Sequence, residues 1–232
     1  MQVFWLASYR FGAPLACLIL SGFDYAEGAV MQATATTRQS TDSLFDSEGR
    51  RLYLTDDERI HLVRMARDTL APKQALYVEM LAFSGCRVSE ALNLTAQSVN
   101  LGSGEVVFNT LKKRRDDHYR IVPLPADFLE RLAGILDLRK LQSTAKGRAT
   151  KLWPMSRQRV AQFSLELFRT SGLDGHSPKS LRHAWAVTAL NRGVDLVTVS
   201  KCLGHSSLET TALYLDAMGD ERKSLVLKMW DR

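Results

Sequence analysis

Between residues 177 and 214 the chain is punctuated so closely that its local folding has little freedom. Ser177 stands before Pro178, an N-cap followed by proline at the first helical position, where a missing N–H costs nothing. Gly193 ends that helix. Asp195 caps the next one, with Leu196, Val199 and Leu203 as its inner stripe and Gly204 as its stop. Ser206-x-x-Glu209 then reads as a capping box that opens the helix carrying Tyr214. Three short helices in succession make one compact unit, and they bring an arginine (Arg182), a histidine (His205) and a phenol (Tyr214) together.

Upstream, the same reasoning lays out a helical body with one small sheet. Thr55-Asp-Asp-Glu58 is a capping box, followed by Ile60, Val63, Ala66 and Arg67 at helical spacing. Pro72 starts a second helix through Phe83, Gly85 breaks it, and residues 88–94 predict a short third helix. Residues 105–111 and 119–124 alternate in β-rich fashion around a polar, basic tip, the signature of a hairpin. Helices are predicted at 126–141 and 156–171, with a Ser-Thr-Ala-Lys-Gly-Arg loop between them. The fold class expected is α+β, mainly α, with a small antiparallel sheet.

Of the 232 residues, 1–50 read as a poorly ordered extension and linker, 51–220 as the folded domain and 221–232 as a tail. Residues 13–20 are apolar but far short of the ~18–20 residues of a membrane span, so no membrane association is expected. Residues 1–50 carry three Lys/Arg against five Asp/Glu, which leaves the remainder 28 against 20 of the 31 and 25 in total. A basic body favours a polyanionic partner, because each neutralised phosphate releases counterions. Three scattered cysteines, Cys17, Cys86 and Cys202, give neither a disulfide framework nor a zinc site. They read as reduced thiols in a cytoplasmic protein.

A second arginine, Arg87, sits at the turn in Ser-Gly-Cys-Arg-Val-Ser-Glu (84–90). Two arginines, a lysine-rich hairpin, a histidine and a tyrosine suit attack on a phosphodiester by a phenolic oxygen. The motifs in order are Gly85-Cys86-Arg87-Val88-Ser89-Glu90, the Lys-Lys hairpin ending in Val122-Pro123-Leu124, and Lys179-Ser180-Leu181-Arg182-His183. Leu203-Gly204-His205-Ser206-Ser207 and Thr211-x-x-Tyr214 complete the series. Together they resemble the catalytic domain of the tyrosine recombinases, the phage integrase family, over roughly residues 51–220.

The resemblance implies double-stranded DNA as partner and a reaction without cofactor or metal. Tyr214 is the implied nucleophile, forming a 3′-phosphotyrosyl link and releasing a 5′ hydroxyl. Arg87 and Arg182 would hold the non-bridging oxygens, and His205 would bond the phosphate or orient the nucleophile. Lys112 is the candidate general acid for the leaving oxygen, with Lys113 as the alternative. His183 is expected to buttress Arg182 rather than react. Where the family usually has histidine three residues before the second arginine, this chain has Lys179, which suits a phosphate contact better than a base.

A second departure is the short stretch before the body, some 50 unpatterned residues where the family usually carries a separate DNA-clamping domain. In this the chain is similar to the short fimbrial-switch invertases. The resemblance also implies assembly as a tetramer on paired DNA sites. Leu225, Val226, Met229 and Trp230 form a tail stripe that buries itself in cis or on a neighbouring copy. Two other functions share these residues: a catalytically weak DNA-binding accessory factor, and a type IB topoisomerase-like relaxase.

Overall fold

The computed structural model describes residues 44–109, 119–217, 226, 227 and 230. The hairpin tip with Lys112 and Lys113 lies outside them, as do residues 1–43 and most of the tail.

Helix α1 (Asp56–Thr69) starts where expected, with Thr55 and Glu58 exchanging side-chain and backbone hydrogen bonds. Its buried face is Arg59, Leu62, Val63 and Ala66, whereas Ile60, expected inside, is 37% exposed. Val63 and Ala66 are inside as predicted, while Arg59 takes an inner position by donating to the carbonyl of Ala82. Helix α2 (Pro72–Ser84) is buried along nearly its whole length and ends at Gly85 in the left-handed region, φ 61°. Helix α3 (Val88–Leu92) follows at once. Tyr77, at the centre of α2, packs edge-on to Trp153 at 5.4 Å and donates its hydroxyl to the carbonyl of Val88 (3.0 Å), anchoring the start of α3.

The sheet has three antiparallel strands: β1 (Val99–Asn100), β2 (Glu105–Asn109) and β3 (Tyr119–Pro123), in that order. The hairpin β2–β3 matches its prediction; β1, only two residues long, was not foreseen because no period can be read from two positions. Val106 and Phe108 of β2 and Arg120 and Val122 of β3 face inward, as the two-residue pleat requires.

The helix expected over 126–141 is broken. It divides into α4 (Ala126–Ile135) and α5 (Leu138–Gln142) at Asp137, whose φ of 49° a short polar side chain tolerates. The Ser-Thr-Ala-Lys-Gly-Arg segment, expected as a loop, holds a turn of helix, α6 (Ala145–Arg148), capped by Thr144 on the amide of Gly147. Helix α7 (Arg157–Thr170) then returns to the core, capped by Ser156.

Helix α8 (Pro178–Asn191) joins two buried clusters. Leu181 and Ala184 belong to the main core with α1, α2, the sheet, α4 and α7. Ala186, Val187 and Leu190 belong to a smaller cluster with Leu44, Val199, Leu203 and Tyr214. The indole of Trp185 donates to the carbonyl of Phe83 (2.8 Å), fixing α8 against the end of α2. Helices α9 (Leu196–Leu203) and α10 (Leu208–Ala212) complete the C-terminal unit. Ser207, not Ser206, caps α10, and Tyr214 sits on the tighter 3-10 turn (Leu213–Ala217) that continues it. None of the helices among the described residues is long and apolar enough to cross a membrane.

Candidate active site

Arg87 is the N-cap of α3 and the more accessible of the two predicted arginines, with its side chain 30% exposed. It is also the salt-bridge partner of Glu90, at 3.0 Å, while its backbone N–H donates to the other Glu90 oxygen at 2.8 Å. The two contacts fix the guanidinium relative to the turn. Glu90 itself is buried and is shared with Arg120 of β3 at 2.5 Å. Burial pushes the Glu90 carboxyl up, but the Arg120 hydrogen bond and charge, and then those of Arg87, outweigh it. The group lies below its ordinary range and is ionised at neutral pH.

Arg182, one turn into α8, is buried and donates to two backbone carbonyls, Gly85 and Leu203, each at 2.8 Å. It thereby ties the α2–α3 turn to the end of α9. Burial, and then the charge of Arg87, lowers its pKa to about 10, while Tyr214 and Glu90 act in the opposite direction. A buried cation beside a second cation is poised to gain from an arriving anion. The left-handed turn at Gly85 is required here for space as well as for φ. A Cβ would lie 3.0 Å from the Trp185 ring and from Leu203.

Lys179, in the first turn of α8, is exposed. His205 follows Gly204, whose φ of 68° ends α9, and its Nδ1 is 2.7 Å from Thr211 Oγ1. Its ring lies nearly parallel to that of Tyr214, 9° between planes and 6.3 Å between centroids. Tyr214 is 2% exposed.

The Tyr214 hydroxyl is hydrogen-bonded to His183, with Nδ1 at 2.9 Å. His183 was expected to support Arg182. Neighbouring residues on a helix diverge by about 100°, so Arg182 and His183 face different surroundings. The available signal was that His183 closes the Lys179-Ser180-Leu181-Arg182-His183 motif. Glu90 and Arg120 were also not foreseen as parts of the site. Each carried a weak signal: Glu90 is one turn after Arg87, and Arg120 falls on the inward phase of an alternating strand.

Four of the six predicted residues, Arg87, Arg182, His205 and Tyr214, thus come together through α8 and its neighbours. Lys179 is on the same helix, and Lys112 lies outside the described residues. Arg87 and Arg120 both pair with the carboxylate of Glu90, and Arg182 lies close enough to feel the charges of all three. Among the described residues no three His, Cys, Asp or Glu side chains are placed to hold a metal ion.

Residues 52–220 match the phage integrase family. Relatives include tyrosine recombinase XerA of Pyrococcus furiosus, 29% identical over 75% of this chain and 60% of that protein. Tyrosine recombinase XerD of Staphylococcus aureus is 32% identical over 67% of this chain and 52% of that protein. The chain therefore spans about half to three fifths of the length of the curated relatives it matches. Among solved structures, XerA recombinase superposes with a TM-score of 0.61 at 24% identity, covering 76% of this chain and 64% of that one. The catalytic domain of bacteriophage HP1 integrase gives 0.55 at 20% identity, covering 75% and 92%. XerH site-specific recombinase bound to its difH substrate, before cleavage, gives 0.61 at 20% identity, covering 80% and 59%.

Proposed function

The chain belongs to the phage integrase family, and from that premise we propose that it is a site-specific recombinase of double-stranded DNA, acting through a 3′-phosphotyrosyl intermediate. The observation that carries this reading is that one helix, α8, supplies the buried Arg182 and, through His183, holds the phenol of Tyr214, with Arg182 tied to the turn that bears Arg87.

In this reading the Tyr214 oxygen attacks the scissile phosphorus, a new O–P bond forms, and the bond to the 5′ oxygen breaks. Attack requires loss of the phenol proton, since a free phenol has a pKa of about 10. His183 Nδ1, already hydrogen-bonded to the hydroxyl, accepts that proton. Arg87 and Arg182 take the two non-bridging oxygens, whose charge grows as the phosphorus becomes five-coordinate. His205, its ring plane set by Thr211, donates to the phosphate or orients the nucleophile, and Lys179 adds a donor from the exposed side. Lys112 protonates the leaving 5′ oxygen. The burial of Tyr214 requires the 213–217 turn to shift before the phosphate is admitted.

The reading extends to a tetramer on paired sites, with the tail docked on a neighbouring copy. In support, Val226, Leu227 and Trp230 are 53%, 52% and 74% exposed, apolar surface that an assembly would cover.

The test is incubation with a nicked duplex drawn from DNA flanking the coding sequence, in which cleavage releases a short fragment and cannot reverse. A covalent protein–DNA adduct is expected. A folded protein that binds the duplex and forms no adduct would leave only a DNA-binding role.

A further inference from the structure

Arg120 lies at the root of the hairpin, on β3, and it is 7% exposed. A buried guanidinium is costly unless every donor is used, and the partners of this one are informative. One terminal nitrogen, Nη2, donates to Glu90 Oε2 at 2.5 Å, the oxygen that also accepts the backbone N–H of Arg87. Its Nε donates to the carbonyl of Cys202 at 2.7 Å. Phe108, its cross-strand partner on β2, lies beneath the guanidinium with 4.8 Å between the charge centre and the ring.

The Cys202 carbonyl is one of the last in α9, a group that the helix itself cannot satisfy. The next carbonyl, Leu203, is held by Arg182. Two guanidiniums from distant elements therefore cap the C-terminal end of α9, where the helix dipole favours positive charge. The chain then turns through Gly204 directly into His205.

Arg120 thus joins the two halves of the site. Through Glu90 it sets the counter-ion that orients Arg87, and through Cys202 it sets the end of the helix that presents His205. The strand bearing it also follows directly on the segment that carries Lys112. From this geometry we infer that Arg120 is a positioning residue that fixes Arg87 and His205 in register with each other across the hairpin root. The inference rests on the strand-cleavage reading above.

The test is single-turnover cleavage of the nicked duplex by the full chain, followed as a function of protein concentration. Arg120→Lys keeps the charge but loses the planar fork that serves two partners at once. The maximal rate should fall about tenfold to hundredfold, the scale of a small misplacement of catalytic groups. The half-saturating protein concentration and the fraction of DNA that finally reacts should not change. A side chain that merely supported the fold would lower the reacting fraction and the melting temperature while leaving the rate alone. That outcome, or a wild-type rate, overturns the inference.

Should Arg120→Lys fail to fold, Phe108→Leu removes the ring beneath the guanidinium and leaves its charge. Its rate should fall about threefold to tenfold at unchanged half-saturation, the lower range for loss of a cation–π contact when the guanidinium keeps its hydrogen bonds, and an unchanged rate overturns the inference. Wild-type protein that forms no adduct overturns the strand-cleavage reading and this inference with it. Active wild type beside a fully active variant overturns this inference alone.

Discussion

His183 Nδ1 lies 2.9 Å from the hydroxyl of Tyr214, a hydrogen bond between side chains 31 residues apart and buried between α8 and the turn that follows α10. The nitrogen belongs to the helix that supplies Arg182, so one rigid element places both the base candidate and a phosphate ligand. The two rings are 5.6 Å apart and tilted by 51°, so the contact is a directed hydrogen bond rather than a stack.

Replacing His183 by phenylalanine keeps ring volume and removes the acceptor. Cleavage by His183→Phe should slow by about 10²-fold or more, the range for loss of a positioned proton acceptor, with DNA affinity unchanged. His183→Gln, which can still accept a hydrogen bond, should fall between the two. Single-turnover rates on the nicked duplex decide it. Cleavage by the Phe variant at or above the wild-type rate would show that the contact only stores the phenol.

Lys179 is expected to act as a donor on the phosphate side. Lys179→Ala should slow cleavage by about 10²–10⁴-fold, and Lys179→His should recover most of that loss. Because the side chain is exposed on the first turn of α8, neither change should move the melting temperature. Wild-type rates in both variants would make the residue a bystander.

Gly85 joins backbone strain to site geometry. Gly85→Ala should lower stability by about 1–2 kcal/mol from the left-handed φ alone, with a further cost from crowding of Trp185 and Leu203 at 3.0 Å. Its carbonyl anchors Arg182, so cleavage should fall more steeply than stability does. Urea unfolding and cleavage rates on the same preparation check both parts. An alanine variant with wild-type midpoint and rate would contradict the account of this turn.

The elements that could be read from the sequence are those with local signals. The Thr55–Glu58 box, the Pro178 start and the Gly204 stop all depend on residues within one turn of each other, and each stands where it was expected. The break at Asp137 and the helical turn at Ala145–Arg148 did not show, because the break is a non-glycine residue in the left-handed region and the turn is only four residues long, too short for a period. Within that turn Gly147 lies so close to the Leu141 carbonyl that a Cβ would come within 2.1 Å of it. The same division holds for the site. Arg87, Arg182, His205 and Tyr214 were marked by short motifs. By contrast, the joining of His183 to Tyr214 and of Arg120 to Glu90 spans 31 and 30 residues, and no local pattern encodes it.

The most direct test of the account is to map the bond between protein and DNA. Wild-type protein trapped on the nicked duplex, in the presence of chelator, should yield after proteolysis a single modified peptide with a 3′-phosphate ester on Tyr214. Tyr214→Phe should bind the same DNA with unchanged affinity and yield no adduct. An ester on any other residue, cleavage by the Phe variant, or cleavage that stops when magnesium is removed would contradict the mechanism.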